Sequence, residues 1–177
     1  MTLFVAGAHG AGKTYLAKPA AEKLNLLHVS ASQLIRSELG QGSWDNERRV
    51  SGIDTNQAAL IRAVARHRRQ GTRLLLDGHF VLRVSAGVHE AIPARVFRDI
   101  DVTGVLLVEA DASEILARLR ARNDLSWTEE EIVGLANKEV RGAVEICAQL
   151  EVPLLRLRCP THQEFDAALA ELASSTE

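Results

Sequence analysis

Apolar residues along this chain gather in short unbroken runs, separated by longer stretches in which they recur every three or four positions. The runs are TLFVAG (2–7), LLHVS (26–30), TRLLLDG (72–78), VTGVLLVEA (102–110) and VPLLRLRC (152–159). Runs without polar alternation fit strands covered on both faces, the condition of a parallel sheet. The stretches between them read as helices, and several open on a capping pattern: Ser30 with Gln33, Asp54 with Gln57, Asp111 with Glu114, Thr128 with Glu131 and Thr161 with Glu164. Strands alternating with helices predict right-handed βαβ units, an α/β fold built on a five-stranded parallel sheet. The segment 37–53 fits neither pattern and reads as a surface excursion. With no repeat, low-complexity linker or break in composition, residues 1–177 are expected to form a single domain.

Composition narrows the picture. A chain of 177 residues and 19.3 kDa has room for one sizeable core. The formal net charge of -2 argues against a protein that binds nucleic acid through a basic face. Of the 21 basic residues only Lys13, Lys18, Lys23 and Lys138 are lysines. Such a bias suits the bidentate grip of guanidinium on phosphate, or reflects an arginine-rich composition throughout; both stay open at this point. Cys147 and Cys159 lack metal-ligand spacing and read as thiols in a reducing compartment. The first apolar run is too short for a membrane span and no charged region precedes it, so a cytoplasmic protein with no membrane partner is expected.

The strongest chemical signal is GAHGAGKT at 7–14, directly behind the first strand. Gly7, Gly12, Lys13 and Thr14 complete the pattern G-x-x-x-x-G-K-[ST], and the strand before and helix after supply its required context. Glycines let backbone amides turn inward on an anion, and the helix N-terminus adds partial positive charge. The expected nucleotide contacts are Gly7, Ala8, His9, Gly10, Ala11, Gly12, Lys13, Thr14 and Tyr15, His9 contributing its backbone amide. Lys13 would bridge the β and γ phosphates and the Thr14 hydroxyl would hold Mg²⁺. ATP and Mg²⁺ are therefore the expected cofactors, on a P-loop NTPase fold of three αβα layers.

A second metal-side carboxylate should lie beyond a strand end. Asp77, in LLLDGH, and Glu109, in LLVEAD, both qualify by position. Asp77 is short, is followed by Gly78, and is placed to hold magnesium or to orient an acceptor. Glu109 runs directly into a capping pattern and reads rather as a helix-entry residue. His79, next to Asp77, is a candidate substrate contact or an incidental turn histidine.

Three features favour phosphoryl transfer over a switch or a mechanical ATPase. Arg36 follows the second strand by about one and a half helical turns, where it could grip an acceptor phosphate. Arg118, Arg120 and Arg122 lie where a helix gives way to the loop before Trp127, and suit a lid closing over transferring phosphates. Arg141, on the next helix, could point back to the same place. A solvated helix face explains the arginine run equally well without the phosphate loop.

The segments LFVAGAHGAGKT, HVSASQLIR, LLLDGH and VLLVEADASEILARLRARND…TEEEI…NKEVRGA resemble, in matching order over residues 2–158, the nucleoside monophosphate kinases, and most closely the compact archaeal-type adenylate kinases. The resemblance implies an acceptor-binding arm over about residues 31–70 and a short lid near 118–128. It implies transfer of the γ-phosphate of ATP to a nucleoside monophosphate. It gives Arg36 the acceptor phosphate, and Arg118, Arg122 and Arg141 lid and transition-state roles beside Lys13 and Asp77. Three departures lie on the acceptor side: Ser32 and Gln33 stand where many such kinases have Gly-Asp, Asp77-Gly78-His79 replaces Asp-Thr-His, and 37–53 has no counterpart. Two further functions compete: an ATP-binding regulatory protein with slow hydrolysis and a protein partner, or a kinase of another small metabolite or of a nucleic-acid 5′ end.

Overall fold

The computed structural model describes residues 1–40 and 53–175. The irregular stretch at 37–53 lies mostly outside them, only its ends belonging to described helices. The described elements run β1 (Thr2–Ala6), α1 (Lys13–Lys23), β2 (Leu27–Ser30), α2 (Ala31–Leu39), α3 (Ile53–Arg69), β3 (Leu74–Asp77), β4 (Val81–Ser85), β5 (Val88–Ala91), α4 (Ala94–Asp99), β6 (Val102–Glu109), α5 (Ala112–Ala121), α6 (Glu129–Leu150), β7 (Leu154–Arg158) and α7 (His162–Ser174).

All five apolar runs are strands of one parallel sheet in the order β2-β3-β1-β6-β7. The central strands β1, β3 and β6 are buried almost throughout, as unbroken apolar runs require. The order places β1, and the loop that follows it, between β3 and β6. The C-terminal ends of these three strands therefore open side by side.

The region between β3 and β6 departs from the expected alternation. Instead of a helix alone it holds an antiparallel hairpin, β4–β5, followed by the short helix α4. The hairpin turns at Gly87, which has a φ of 71°. Its root is fixed by Phe80, whose ring packs at 5.3 Å from Phe4 of β1 and 4.7 Å from Phe97 of α4. All three phenylalanines are buried, so truncating Phe80 to alanine would cost about 3–5 kcal/mol. Helix α6 crosses the same root closely: a Cβ on Gly142 would lie 2.9 Å from Phe80 Cβ, so only glycine allows this approach.

Two expected capping boxes are complete, Ser30 with Gln33 and Thr161 with Glu164. Three differ. Thr128 caps Glu131, but the Glu131 carboxylate turns to Arg83. Asp111 occupies the cap position of α5 without a side-chain bond, its carboxylate being taken by Arg158 at 2.5 Å. Asp54 lies inside the first turn of α3, and its side chain reaches towards Arg95. In each case a neighbouring guanidinium takes the carboxylate that the capping box would have used.

Candidate active site

The site begins where β1 ends. The chain passes Val108 of β6 so closely that a Cβ on Gly7 would come within 2.2 Å of the Val108 carbonyl oxygen. Gly12 takes a left-handed φ of 100° as it enters α1, and no side chain caps that helix terminus. Its first amide N–H groups therefore face the loop interior as an anion-binding edge. Lys13 is buried, with Nζ donating to the carbonyls of Gly7 (2.8 Å) and Ala8 (3.3 Å). Burial pushes its ammonium below the usual lysine range, while Asp77 and Glu139 act against that shift.

Asp77 ends β3, and its carboxylate accepts the Thr14 hydroxyl at 2.6 Å. The two residues chosen from sequence as metal-side groups thus meet across 63 positions of chain. Burial acts to raise the Asp77 carboxyl; the Lys13 ammonium and the Thr14 hydroxyl act against it, and the group is held below the usual carboxylate range. His28 Nε2 lies 3.8 Å from Asp77 Oδ2, outside hydrogen-bonding reach. Thr14 and Asp77 form a hard, all-oxygen donor pair of the kind magnesium takes, with water completing the shell. Glu109, the other strand-end acid, is bound by both nitrogens of an Arg156 fork at 2.9 and 3.0 Å, and so serves β7 instead.

Sequence patterns gave no sign of Glu139, which proves central. It is 1% exposed on α6 and accepts from the Phe80 amide (3.0 Å), the Val81 amide (3.1 Å) and the ring of His79 at Nδ1 (3.2 Å). A buried carboxylate must be so satisfied. Through it, α6 fixes the loop that carries Asp77 and His79. The only clue in sequence was a glutamate on the apolar side of a helix, a pattern that also fits a surface residue.

The segment 118–128 lies against the phosphate loop. Arg118 Nη1 donates to the carbonyls of Gly10 (3.3 Å) and Ala11 (3.2 Å), and Nη2 pairs with Glu114 (2.9 Å). Arg122 ends α5, and its charge together with that of Asp124 is felt at His9. The His9 ring lies parallel to that of Trp127, with centroids 6.1 Å apart and planes 14° apart. Although part of it meets solvent, burial, His79 and Lys13 lower the His9 pKa to about 4, leaving the ring neutral at ordinary pH.

The remaining predicted residues stand further out. Tyr15 is 73% exposed and packs its ring on His162 at 4.6 Å, at the outer rim of α1. Arg36 is exposed on α2 and donates to the Ser32 carbonyl at 3.2 Å, which folds it back towards the start of its own helix. That start adjoins Asp77, because Ser30 and Asp77 are partners in the β2–β3 register. Arg120 is exposed. Arg141 is exposed two positions beyond Glu139, and so on a different side of α6 from that buried carboxylate.

A complete phosphate loop with a lysine, a hydroxyl and a carboxylate gathered at one end of a five-stranded parallel sheet is a P-loop nucleotide site, and the matches that follow make it that of an ATP-dependent phosphotransferase, a P-loop kinase. A family model described as an AAA domain matches residues 6–133. The chain belongs to that family of P-loop kinase domains, with adenylate kinases among its relatives. An adenylate kinase of Synechococcus sp. is 33% identical over 135 residues, 73% of this chain and 72% of that protein. An adenylate kinase of Methanothermobacter thermautotrophicus is 25% identical over 183 aligned residues, 98% of this chain and 97% of its own length. In fold, the shikimate kinase of Acinetobacter baumannii, solved with shikimate, superposes with a TM-score of 0.63 at 12% identity, covering 99% of this chain and 94% of that one. Among the described residues no helix is long and apolar enough to cross a membrane.

Proposed function

We propose that this protein transfers the γ-phosphoryl group of MgATP to a nucleoside monophosphate. The observation that carries the proposal is the meeting of Thr14 and Asp77 at 2.6 Å beside the buried Lys13, at the N-terminus of α1. The adenylate kinase relatives support the choice of acceptor.

In this reading the loop amides from Gly7 to Tyr15 cradle the phosphates, and Lys13 leaves the Gly7 and Ala8 carbonyls to neutralise the β and γ oxygens. The Thr14 hydroxyl and, through water, Asp77 would hold Mg²⁺, whose positive charge would offset the negative charge that develops as ADP leaves. Arg36 grips the acceptor phosphate, and His79, oriented by Glu139, borders the acceptor. Residues 118–128 act as the lid, bringing Arg118 and Arg122 to the transferring group, and residues 31–70 contribute the acceptor arm of one domain. Little covalent work falls to the protein; position and charge do the rest. Arg141, facing away, receives no part in this arrangement.

A panel of nucleoside mono- and diphosphates and hydroxyl-bearing metabolites, incubated with MgATP, tests the proposal when ADP release and phosphorylated product are read together. A monophosphate should yield its diphosphate in step with ADP, and Lys13→Met should abolish both in a folded protein. Turnover indifferent to every acceptor but raised by a protein would instead identify a regulatory ATPase.

A further inference from the structure

The β4–β5 hairpin is the part of the chain that no motif accounted for, yet one of its side chains has more polar contacts across the fold than any residue of the phosphate loop. Arg83, on β4, directs Nε and Nη2 onto the two oxygens of Glu131 at 2.7 and 3.0 Å. The same guanidinium donates to the Ser126 carbonyl at 2.6 Å and the Ser126 hydroxyl at 3.0 Å. Its plane lies over the Trp127 ring, 3.9 Å from the centroid. The Gly87 amide, at the hairpin turn, adds a third donor to Glu131 at 2.9 Å.

What Arg83 holds is the exit of the 118–128 segment. At its start the segment is tied to the phosphate loop by Arg118; towards its exit Leu125 is 78% exposed, whereas Trp127 is 8% exposed. The indole Nε1 donates to Asp124 at 3.1 Å, which closes the turn on itself. The ring thus meets the hairpin cation in contact and the His9 ring of the phosphate loop at a centroid distance of 6.1 Å. Any outward swing of the segment has to part Trp127 from Arg83 and unmake the fork on Ser126.

We propose that Arg83 is a positioning residue for phosphoryl transfer: by clamping Ser126 and Trp127 it holds the lid against the phosphate loop, and so sets where Arg122 meets the transferring group. The inference rests on the reading of residues 118–128 as a lid. A positioning residue of this kind acts on closure, and so on the exclusion of water, more than on the first binding of ATP.

The test uses the full chain with Trp44→Phe, which leaves Trp127 as the sole tryptophan of the two. Arg83→Ala is expected to make Trp127 more accessible to acrylamide and to shift its emission to the red. It should lower kcat by about ten-fold or more, as loss of several charge-assisted contacts implies, while KM for ATP changes by less than about three-fold. The ratio of ADP released to product formed should rise as water gains entry. Arg83→Lys, which keeps a charge over the ring and loses the fork, should fall between the two. Glu131→Gln provides an independent route to the same loosening should Arg83→Ala fold poorly. Arg122→Ala separates the layers of the argument: unchanged kcat there overturns the lid reading itself. A slow Arg122→Ala beside an Arg83→Ala protein with unaltered Trp127 accessibility, or with unaltered kcat and product ratio, overturns the clamp alone.

Discussion

Replacing Asp77 by asparagine removes one charge from the site while keeping its shape. The amide oxygen can still accept the Thr14 hydroxyl, so the swap isolates electrostatics from geometry. At 2.6 Å the native contact lies in the range of an O–H···O⁻ bond. Such a charged bond contributes about 1.5–3 kcal/mol against about 0.5–1.5 kcal/mol for its neutral counterpart. Facing a magnesium ion through water, the missing charge should cost transition-state stabilisation of the same order, about 1.5–3 kcal/mol, or roughly 10- to 150-fold in kcat. Coupled ADP release, measured over a magnesium titration with the best acceptor, should show that drop together with a higher magnesium requirement. Stability offers a second readout. Because the folded carboxyl is held below its usual range, its contribution is present above the ordinary carboxylate pKa and is lost as pH falls through the folded value. Asp77→Asn should lack that acid-side loss. Turnover within about two-fold of the native protein at every magnesium concentration would refute the reasoning, and leave Asp77 as a structural acceptor for Thr14.

Arg122→Ala should lower kcat by about 100-fold with ATP dissociation little changed, and Arg120→Ala should be mild; equal small effects at both would return the run to a solvated helix face. Arg36→Ala should raise KM for the acceptor roughly ten- to a hundred-fold and KM for ATP much less, so equal changes in the two would remove Arg36 from the acceptor site. His9 should titrate by NMR with a midpoint of about 4. Because the unfolded chain takes up that proton near pH 6.5 and the folded one only near 4, acidification through this window should weaken the fold, less so in His9→Asn. A midpoint near 6.5 would show the ring to be free of Lys13 and His79.

Much of this was legible in sequence because the signals were local. An apolar run buried on both faces, a glycine-rich loop between strand and helix, and an acid just past a strand end each declare themselves within ten residues. The meeting of Thr14 with Asp77 came with the strand order, β3 beside β1, which the sequence alone does not contain. What stayed hidden depends on partners remote in sequence. Glu139 has meaning only once Phe80 and Val81 present bare amides to it, and Arg83 only once Glu131 and Trp127 stand opposite. The hairpin escaped notice because VLRVS and VHEA are short and mostly exposed or half-buried, in a two-stranded sheet of their own.

The order of the sheet bears on how the protein comes into being. Every pairing in it is parallel and joins strands remote in sequence: Thr2 lies beside Leu74 and Val102, Leu27 beside Leu74, and Val105 beside Leu154. Such contacts close large loops before any reward in pairing, so they form late and slowly. The phosphate loop is synthesised before its two walls, β3 and β6, which emerge from the ribosome well after it. In the interval a nascent chain carries the loop without the means to hold a phosphate in it, and nucleotide binding should mark a late stage of folding, not the first.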